Sequence, residues 1–168
     1  MERGCGYLDE AGTLVYDARD KILGRLASHV AKQLISARKE GREQRVIIYN
    51  AEHAVVSGPR TQVLSRYDKK YKLNHARKGP FFPRMPDQIL KRTVRGMLPY
   101  QKNSSGRGAL RDLRVLIGQP NNISEDELPD DHAWGDTDSI DRPLPLRFVR
   151  LGEISSSLGA DASRWGSE

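Results

Sequence analysis

The fold class follows from residues 14–50, which have the sequence LVYDARDKILGRLASHVAKQLISARKEGREQRVIIYN. The first five residues are typical of a short strand, and residues 45–50 of a buried strand rich in β-branched side chains. Between the two, apolar residues recur in pairs every four positions over 22–35, which predicts one face of an amphipathic helix. We expect Asp20 to be the N-cap of this helix and Gly41 to end it.

Further elements follow toward the C-terminus. Pro59 and Pro86 are each expected to open a helix, and residues 113–117 are expected to form a strand. A last short strand is expected at 147–151, followed by a closing helical turn over 152–159. Strands that alternate with helices need crossover connections, which predict an α/β fold with a parallel or mostly parallel sheet covered by helices.

The bulk properties exclude several classes of protein. A chain of 168 residues fits one domain. Cys5 is the sole cysteine, so no internal disulfide can form, which indicates a reducing compartment. No apolar stretch is long enough to span a bilayer, and the acidic N-terminus does not resemble a signal peptide. We therefore expect a soluble, intracellular protein with no membrane partner.

Charge is distributed unevenly along the chain. Residues 60–114 contain 15 lysines and arginines against three acidic residues, whereas residues 115–168 contain four against 11. Like charges one helical turn apart repel each other, so a solvated helical face usually mixes the two signs. The segment 60–114 does not mix them, which predicts a polyanionic partner such as nucleic acid or an anionic membrane. The acidic stretch 119–145, which also contains several prolines, is expected to be a long surface excursion.

The middle of the basic segment combines cations with aromatic residues. Over 67–84 the lysines and arginines are interleaved with Tyr71, Phe81 and Phe82, and glycine and proline keep 74–85 out of regular structure. RNA recognition needs this mixture of cations for phosphates and planar groups for unpaired bases. Taken alone, the two phenylalanines are expected only to anchor the loop to the core. The whole run, with its charge, predicts RNA binding.

Two further basic segments continue the pattern. Lys91, Arg92 and Arg95 are expected to project from the outer side of the third helix, opposite its apolar residues. Residues 103–108, NSSGRG, are expected to form a flexible loop suited to phosphate, with a helix starting after it. This loop lacks the Gly-Lys-Ser/Thr ending of a nucleotide-hydrolysing loop and the third glycine of a dinucleotide fingerprint.

An enzyme is the weaker alternative. Asp17 and Asp20 flank a strand end, where they would be placed to hold Mg²⁺, but a turn residue and a helix cap are the commoner roles for such residues. The four histidines are scattered, without the spacing of a metal or catalytic motif. We therefore expect no catalytic residues, no metal, no cofactor and no small-molecule substrate.

The basic segment resembles a known family. Residues 91–99, KRTVRGMLP, are similar to the signature of the L13 family of large ribosomal subunit proteins, and the similarity continues through 113–118, LRVLIG. Supporting matches are 23–28, LGRLAS, and 50–52, NAE. The resemblance covers about 14–118.

Two other segments resemble the archaeal and eukaryotic branch of that family. They are the loop 79–84, GPFFPR, and the segment 151–155, LGEIS. The resemblance divides the chain into an N-terminal extension, 1–13, a core domain, 14–118, and an acidic excursion with a C-terminal extension, 119–168, of the same domain.

The resemblance implies a three-layer α/β/α fold around a mostly parallel four-stranded sheet, with a C-terminal extension. It also implies a structural constituent of the large subunit of the cytoplasmic ribosome, without enzymatic activity, that binds ribosomal RNA, contacts neighbouring large-subunit proteins and supports assembly and translation. The alternatives are an RNA-binding regulator that acts off the ribosome and a metal-dependent nucleic-acid enzyme.

The expected RNA contacts come from two sources. Carried over by position, the resemblance implies contacts at His75, Arg77, Lys78, Arg84, Lys91, Arg92, Arg95, Lys102, Arg107 and Arg111. The charge of the run that precedes the loop adds Lys69, Lys70 and Lys72. Gly96 and Pro99 are expected to shape the end of the third helix rather than to contact RNA.

Overall fold

The computed structural model describes residues 12–101, 103–121, 123, 128–129 and 131–165. The strands are β1 (Thr13–Asp17), β2 (Arg45–Tyr49), β3 (Val55–Ser57), β4 (Leu113–Val115), β5 (His132–Trp134) and β6 (Phe148–Arg150). The helices are α1 (Leu23–Lys39), α2 (Arg60–Lys72), α3 (Pro86–Met97), α4 (Ser104–Arg111) and α5 (Leu151–Ser157). Two short 3-10 helices lie at Ala51–His53 and Ala162–Arg164. Among these helices, none combines the length and the apolar character needed to cross a membrane.

Four parallel strands form the central sheet in the order β4-β2-β1-β5. In register, Leu14 of β1 lies between Val46 of β2 and Ala133 of β5. Helix α1 makes the crossover from β1 to β2, as two adjacent parallel strands require. The prediction of a three-layer α/β fold around a four-stranded parallel sheet is confirmed.

Both faces of the sheet are covered. Leu14, Tyr16 and Ile48 point to the face that carries the helices, where they share one core with Leu26 of α1 and Leu90 of α3. Alternate residues of a strand point to opposite faces. A strand covered on both sides is therefore apolar at successive positions, as 46–49 is.

The second face of the sheet has its own apolar layer. Val15 and Tyr49 point to this side and form a separate cluster with Ile123. Leu116 and Leu128 pack against the same cluster. The chain that follows β4 thus supplies the layer opposite the helices.

The start of α1 differs from the prediction, whereas its end agrees. The N-cap is Ile22, and Asp20 lies in the preceding turn with a left-handed φ of 57°, a conformation that aspartate tolerates better than most residues. The assignment of Asp20 as N-cap is therefore wrong. Gly41 ends the helix as predicted: its φ is 75°, and the Arg42 N–H donates to the Ala37 carbonyl at 2.9 Å, which satisfies a terminal carbonyl of the helix.

The fourth strand of the sheet comes from an unexpected place. Strand β5 lies inside the acidic stretch 119–145, which we expected to be a surface excursion, and it pairs with β1 at the edge of the sheet. The strand expected at 147–151 exists as β6, but it pairs antiparallel with β3 in a separate two-stranded sheet. The three residues of β5 are too few to show an alternating pattern, and only Ala133 among them is buried.

The helix expected after the loop 103–108 begins earlier than predicted and includes most of that segment. Helix α4 begins at Ser104 and includes Gly106 and Gly108. Gly106 is buried against the Pro99 backbone, where an added Cβ would lie 2.6 Å from the carbonyl carbon and oxygen. Gly106 therefore permits close packing of α4, since any larger side chain would overlap backbone that cannot move aside.

Gly106→Ala is expected to lower the free energy of unfolding by about 1–3 kcal/mol, because the added methyl group overlaps the backbone of Pro99. The matched control is Gly96→Ala in α3, where an added Cβ has no atom within 4 Å; alanine there is expected to leave stability unchanged or raise it by up to about 1 kcal/mol. Urea unfolding measures both. Equal stability of the two variants would contradict this account of Gly106.

Candidate nucleic-acid interface

Phe82 joins the end of α2, the loop 74–85 and α3. Its ring meets the Tyr67 ring edge-on, with 5.9 Å between the ring centres. The Nζ atom of Lys70 lies 5.9 Å from the centre of the Phe82 ring, and the guanidinium carbon of Arg92 lies 5.1 Å from it. Both distances are within the range of cation–π attraction. Two cations predicted to bind RNA are thus held by one aromatic ring.

Other cations of this region also lie over aromatic rings. Arg84 stacks on Tyr71, with 4.7 Å between the guanidinium carbon and the ring centre, and donates a hydrogen bond to its hydroxyl group. Arg95 lies over Tyr100 at 5.3 Å. Burial raises the pKa of Tyr67 above its ordinary value, so this ring stays neutral beside Lys70, which lies 5.1 Å from its centre.

The first part of the loop is a small hairpin, residues 75–79. The His75 N–H donates to the Gly79 carbonyl at 3.1 Å, and the Gly79 N–H donates back at 2.8 Å. The Arg77 N–H donates to Nδ1 of His75 at 3.2 Å, so this nitrogen acts as an acceptor. Gly79 has a φ of 77°, which favours glycine. Arg77 and Lys78 are exposed in the turn of this hairpin.

Helix α3 presents a row of cations on its outer side. Its buried residues are Pro86, Ile89, Leu90 and Val94. The cations Lys91, Arg92 and Arg95 lie outside that apolar stripe. The sole acidic residue of the helix, Asp87, accepts a hydrogen bond from Gln88 at 3.0 Å. Met97, the last residue of the helix, is 41% exposed.

Nine of the predicted cations belong to α2, the loop 74–85 and α3, and we call this set of residues the basic surface. The basic surface consists of Lys69, Lys70, Lys72, Arg77, Lys78, Arg84, Lys91, Arg92 and Arg95. His75 lies exposed in the hairpin of this region, and Arg107 and Arg111 are exposed one turn apart on α4. Lys102 lies outside the described residues.

Carboxylates neutralise little of this charge. Within the described part of the chain, Lys72 is the sole member of the basic surface with a carboxylate partner, Asp68, at 2.8 Å. Acidic residues of the C-terminal third pair elsewhere: Asp141 with Lys21, and Glu153 with Arg60. Among the residues that the structure describes, the basic surface therefore keeps most of its positive charge.

Two features of the site were not predicted from the sequence. Arg66 is exposed on α2, one turn before the Lys69–Lys70 pair, and belongs to the same charge run. The tyrosines that hold cations were not identified as such. A signal for one of them exists, because Tyr67 precedes Lys70 by three positions, a spacing that places two side chains on the same side of a helix.

The candidate metal site, Asp17 and Asp20, lies at the end of β1, outside the basic surface. Asp17 and Asp20 both line a cavity of about 300 Å³ beside Trp134. Oδ1 of Asp17, however, accepts hydrogen bonds from the Arg19 N–H at 2.9 Å and from the Asn50 amide at 3.0 Å. In the residues that the structure describes, no group of three or more acidic, histidine or cysteine side chains could hold a metal ion. The hydrogen bond from the Arg19 N–H gives Asp17 the role of a turn residue, one of the two commoner roles expected for this pair.

Comparison with known proteins points to one family. The family model described as Ribosomal protein L13 matches residues 12–122. A protein of Methanosarcina barkeri named "Large ribosomal subunit protein uL13" is 44% identical over 147 residues, covering 87% of this chain and 97% of its own. Proteins of the same name from Halobacterium salinarum and Natronomonas pharaonis are 42% and 39% identical, covering 89% and 94% of this chain and 93% and 98% of their own. These relatives are archaeal, in agreement with the predicted branch.

Phe82→Leu is expected to loosen the loop, because leucine keeps apolar volume but removes the ring that Tyr67, Lys70 and Arg92 contact. Trypsin should then cleave after Arg77 and Lys78 at least roughly tenfold faster, because one aromatic pair and two cation–π contacts together contribute about 1.5–3.5 kcal/mol. The control is Leu73→Ala, whose side chain is 78% exposed at the end of α2. Equal cleavage rates in the two variants would show that Phe82 does not hold the loop.

Proposed function

Because the chain belongs to the ribosomal protein L13 family, we propose that its basic surface binds large-subunit ribosomal RNA and that this binding supports subunit assembly and translation. The family itself establishes the coarser function: the chain is a structural ribosomal constituent and not an enzyme. Its place is the cytoplasmic ribosome. Its partners there are the ribosomal RNA and neighbouring large-subunit proteins.

The observation that carries this proposal is the way in which the cations are held. A carboxylate partner would cancel the positive charge, whereas an aromatic ring attracts a cation and leaves its charge in place. Lys70, Arg84 and Arg92 all lie over rings. These side chains are ordered and still charged, as binding to phosphates requires.

The chemistry of the surface favours RNA over other polyanions. Structured RNA offers phosphates along an irregular path together with unpaired bases. The residues of the basic surface belong to two helices and the loop between them. Aromatic side chains lie beside several of these cations. We infer that the loop 74–85 fits an irregular part of the RNA, while α3 follows a phosphate backbone with Lys91 and Arg95. The exposed arginines of α4 extend the contact.

A regulator that acts off the ribosome would use the same surface, so location separates the two functions. Sedimentation of cell extract on a sucrose gradient is the direct experiment. We expect the protein to travel with the large subunit and to remain there after a moderate salt wash. Recovery of most of the protein in the light fractions before any wash would favour the regulator.

Lys91→Ala is expected to weaken binding to large-subunit ribosomal RNA and to flatten its salt dependence. Loss of one phosphate contact should reduce the slope of log K against log salt by about 0.7–0.9. The matched control is Arg60→Gln, because Arg60 lies in the same basic segment but is paired with Glu153; its slope is expected to stay unchanged. Filter binding at several salt concentrations measures both. An unchanged slope for Lys91→Ala would mean that this side chain faces solvent in the complex.

A further inference from the structure

Two adjacent phenylalanines have opposite environments. Phe82 packs against the main core, whereas Phe81 is 63% exposed. Both residues were predicted from the sequence to anchor the loop, and this is wrong for Phe81. Removing a large apolar side chain from water stabilises a protein, so a mostly exposed phenylalanine gives up most of that stabilisation. Phe81 therefore contributes little to holding the loop.

The backbone that carries the exposed ring is held by hydrogen bonds. The Phe81 carbonyl accepts a hydrogen bond of 2.7 Å from the Arg92 guanidinium group. The ring lies close to Gly79: a Cβ added there would be 3.2 and 3.3 Å from two ring carbons of Phe81. The hydrogen bonds between His75 and Gly79 hold that part of the backbone. The Phe81 ring is thus an apolar surface presented on an ordered support.

The surroundings of this ring are positively charged. The hairpin against which it lies carries Arg77 and Lys78 in its turn, both exposed. Neither residue has a carboxylate partner within the described ranges. An apolar protein pocket that covered the ring would have to approach these cations and remove water from them, which is costly without matching acidic groups. A nucleotide offers both complements at once, a flat base for the ring and a phosphate for the cations.

We propose that Phe81 stacks on an unpaired base of the large-subunit ribosomal RNA, while Arg77 and Lys78 contact the phosphates beside that base. A base within a continuous duplex has both faces covered by its neighbours, so the ligand is a nucleotide in a loop, a bulge or a strand end. This inference rests on the proposed function. It adds the chemical class of the RNA element that the loop 74–85 recognises.

The experiment compares the full-length protein with Phe81→Leu and Phe81→Tyr on two RNA probes. One probe is the complete large-subunit ribosomal RNA, and the other is a fully paired RNA duplex of about 30 base pairs, long enough to cover a double-stranded binding site of roughly 16 base pairs. Loss of one base stack should lower the affinity of Phe81→Leu for the ribosomal RNA by roughly 5- to 100-fold. Phe81→Tyr should bind like the original protein, because tyrosine keeps the aromatic face. The duplex should bind all three proteins equally.

Salt dependence and a matched control complete the design. The salt slope of Phe81→Leu should equal that of the original protein, since no phosphate contact is lost. Leu73→Ala, which removes another exposed apolar side chain from the same region, should leave the affinity for ribosomal RNA unchanged. Circular dichroism of each variant verifies that it is folded before binding is measured.

The outcomes separate this inference from the function on which it rests. Binding of the ribosomal RNA by the original protein with equal affinity for Phe81→Leu overturns the stacking and leaves the proposed function standing. The same holds if Phe81→Leu loses as much affinity for the duplex as for the ribosomal RNA. Failure of the original protein to prefer ribosomal RNA over the duplex overturns both.

Discussion

The attraction between cationic side chains and aromatic rings, centred on Phe82, is the interaction on which the functional surface depends. A cation–π contact at an exposed site stabilises by about 0.5–1 kcal/mol, which is similar to the contribution of an exposed salt bridge. The two differ in their effect on net charge. A salt bridge removes net charge from the surface, whereas the rings of Tyr67, Tyr71 and Phe82 order their cations and keep them positive. These contacts hold the cations in place without cancelling their positive charge.

This arrangement also explains how the acidic third of the chain coexists with the basic segment. Its carboxylates are used at other positions: Asp141 pairs with Lys21 just before α1, and the neighbouring Ser139 hydroxyl contacts His29 at 3.0 Å. Ile140, between them, is buried in the main core. These contacts fix the chain that follows β5 against the first helix. In the described part of the chain, Asp141 therefore helps to hold the C-terminal part in place and does not pair with the basic surface.

Long periodic segments could be predicted from the sequence, and short or context-dependent ones could not. The repeat over 22–35 is long enough to identify α1, and Gly41 marks its end because few other residues adopt a φ of 75°. Strand β5 has three residues and gives no such signal. Helix α4 resembled a loop because its two glycines are poor helix formers in isolation. In the fold, α4 packs so closely against the Pro99 backbone that only glycine fits at position 106. This tertiary contact outweighs the low helix propensity of glycine.

In the candidate site, too, the sequence predicts the composition of a segment but not the environment of each side chain. Charge and composition predicted where the cations would gather, because both are properties of the sequence itself. The different environments of Phe81 and Phe82 are not visible in the sequence, since two identical neighbours carry no information about which one faces the core. In the fold, Phe82 packs against the main core while the Phe81 side chain is 63% exposed. The contacts of the Phe82 ring with Tyr67, Lys70 and Arg92 connect the loop 74–85 with α2 and α3. The packing of one phenylalanine and the exposure of the other thus follow from tertiary contacts, which composition does not record.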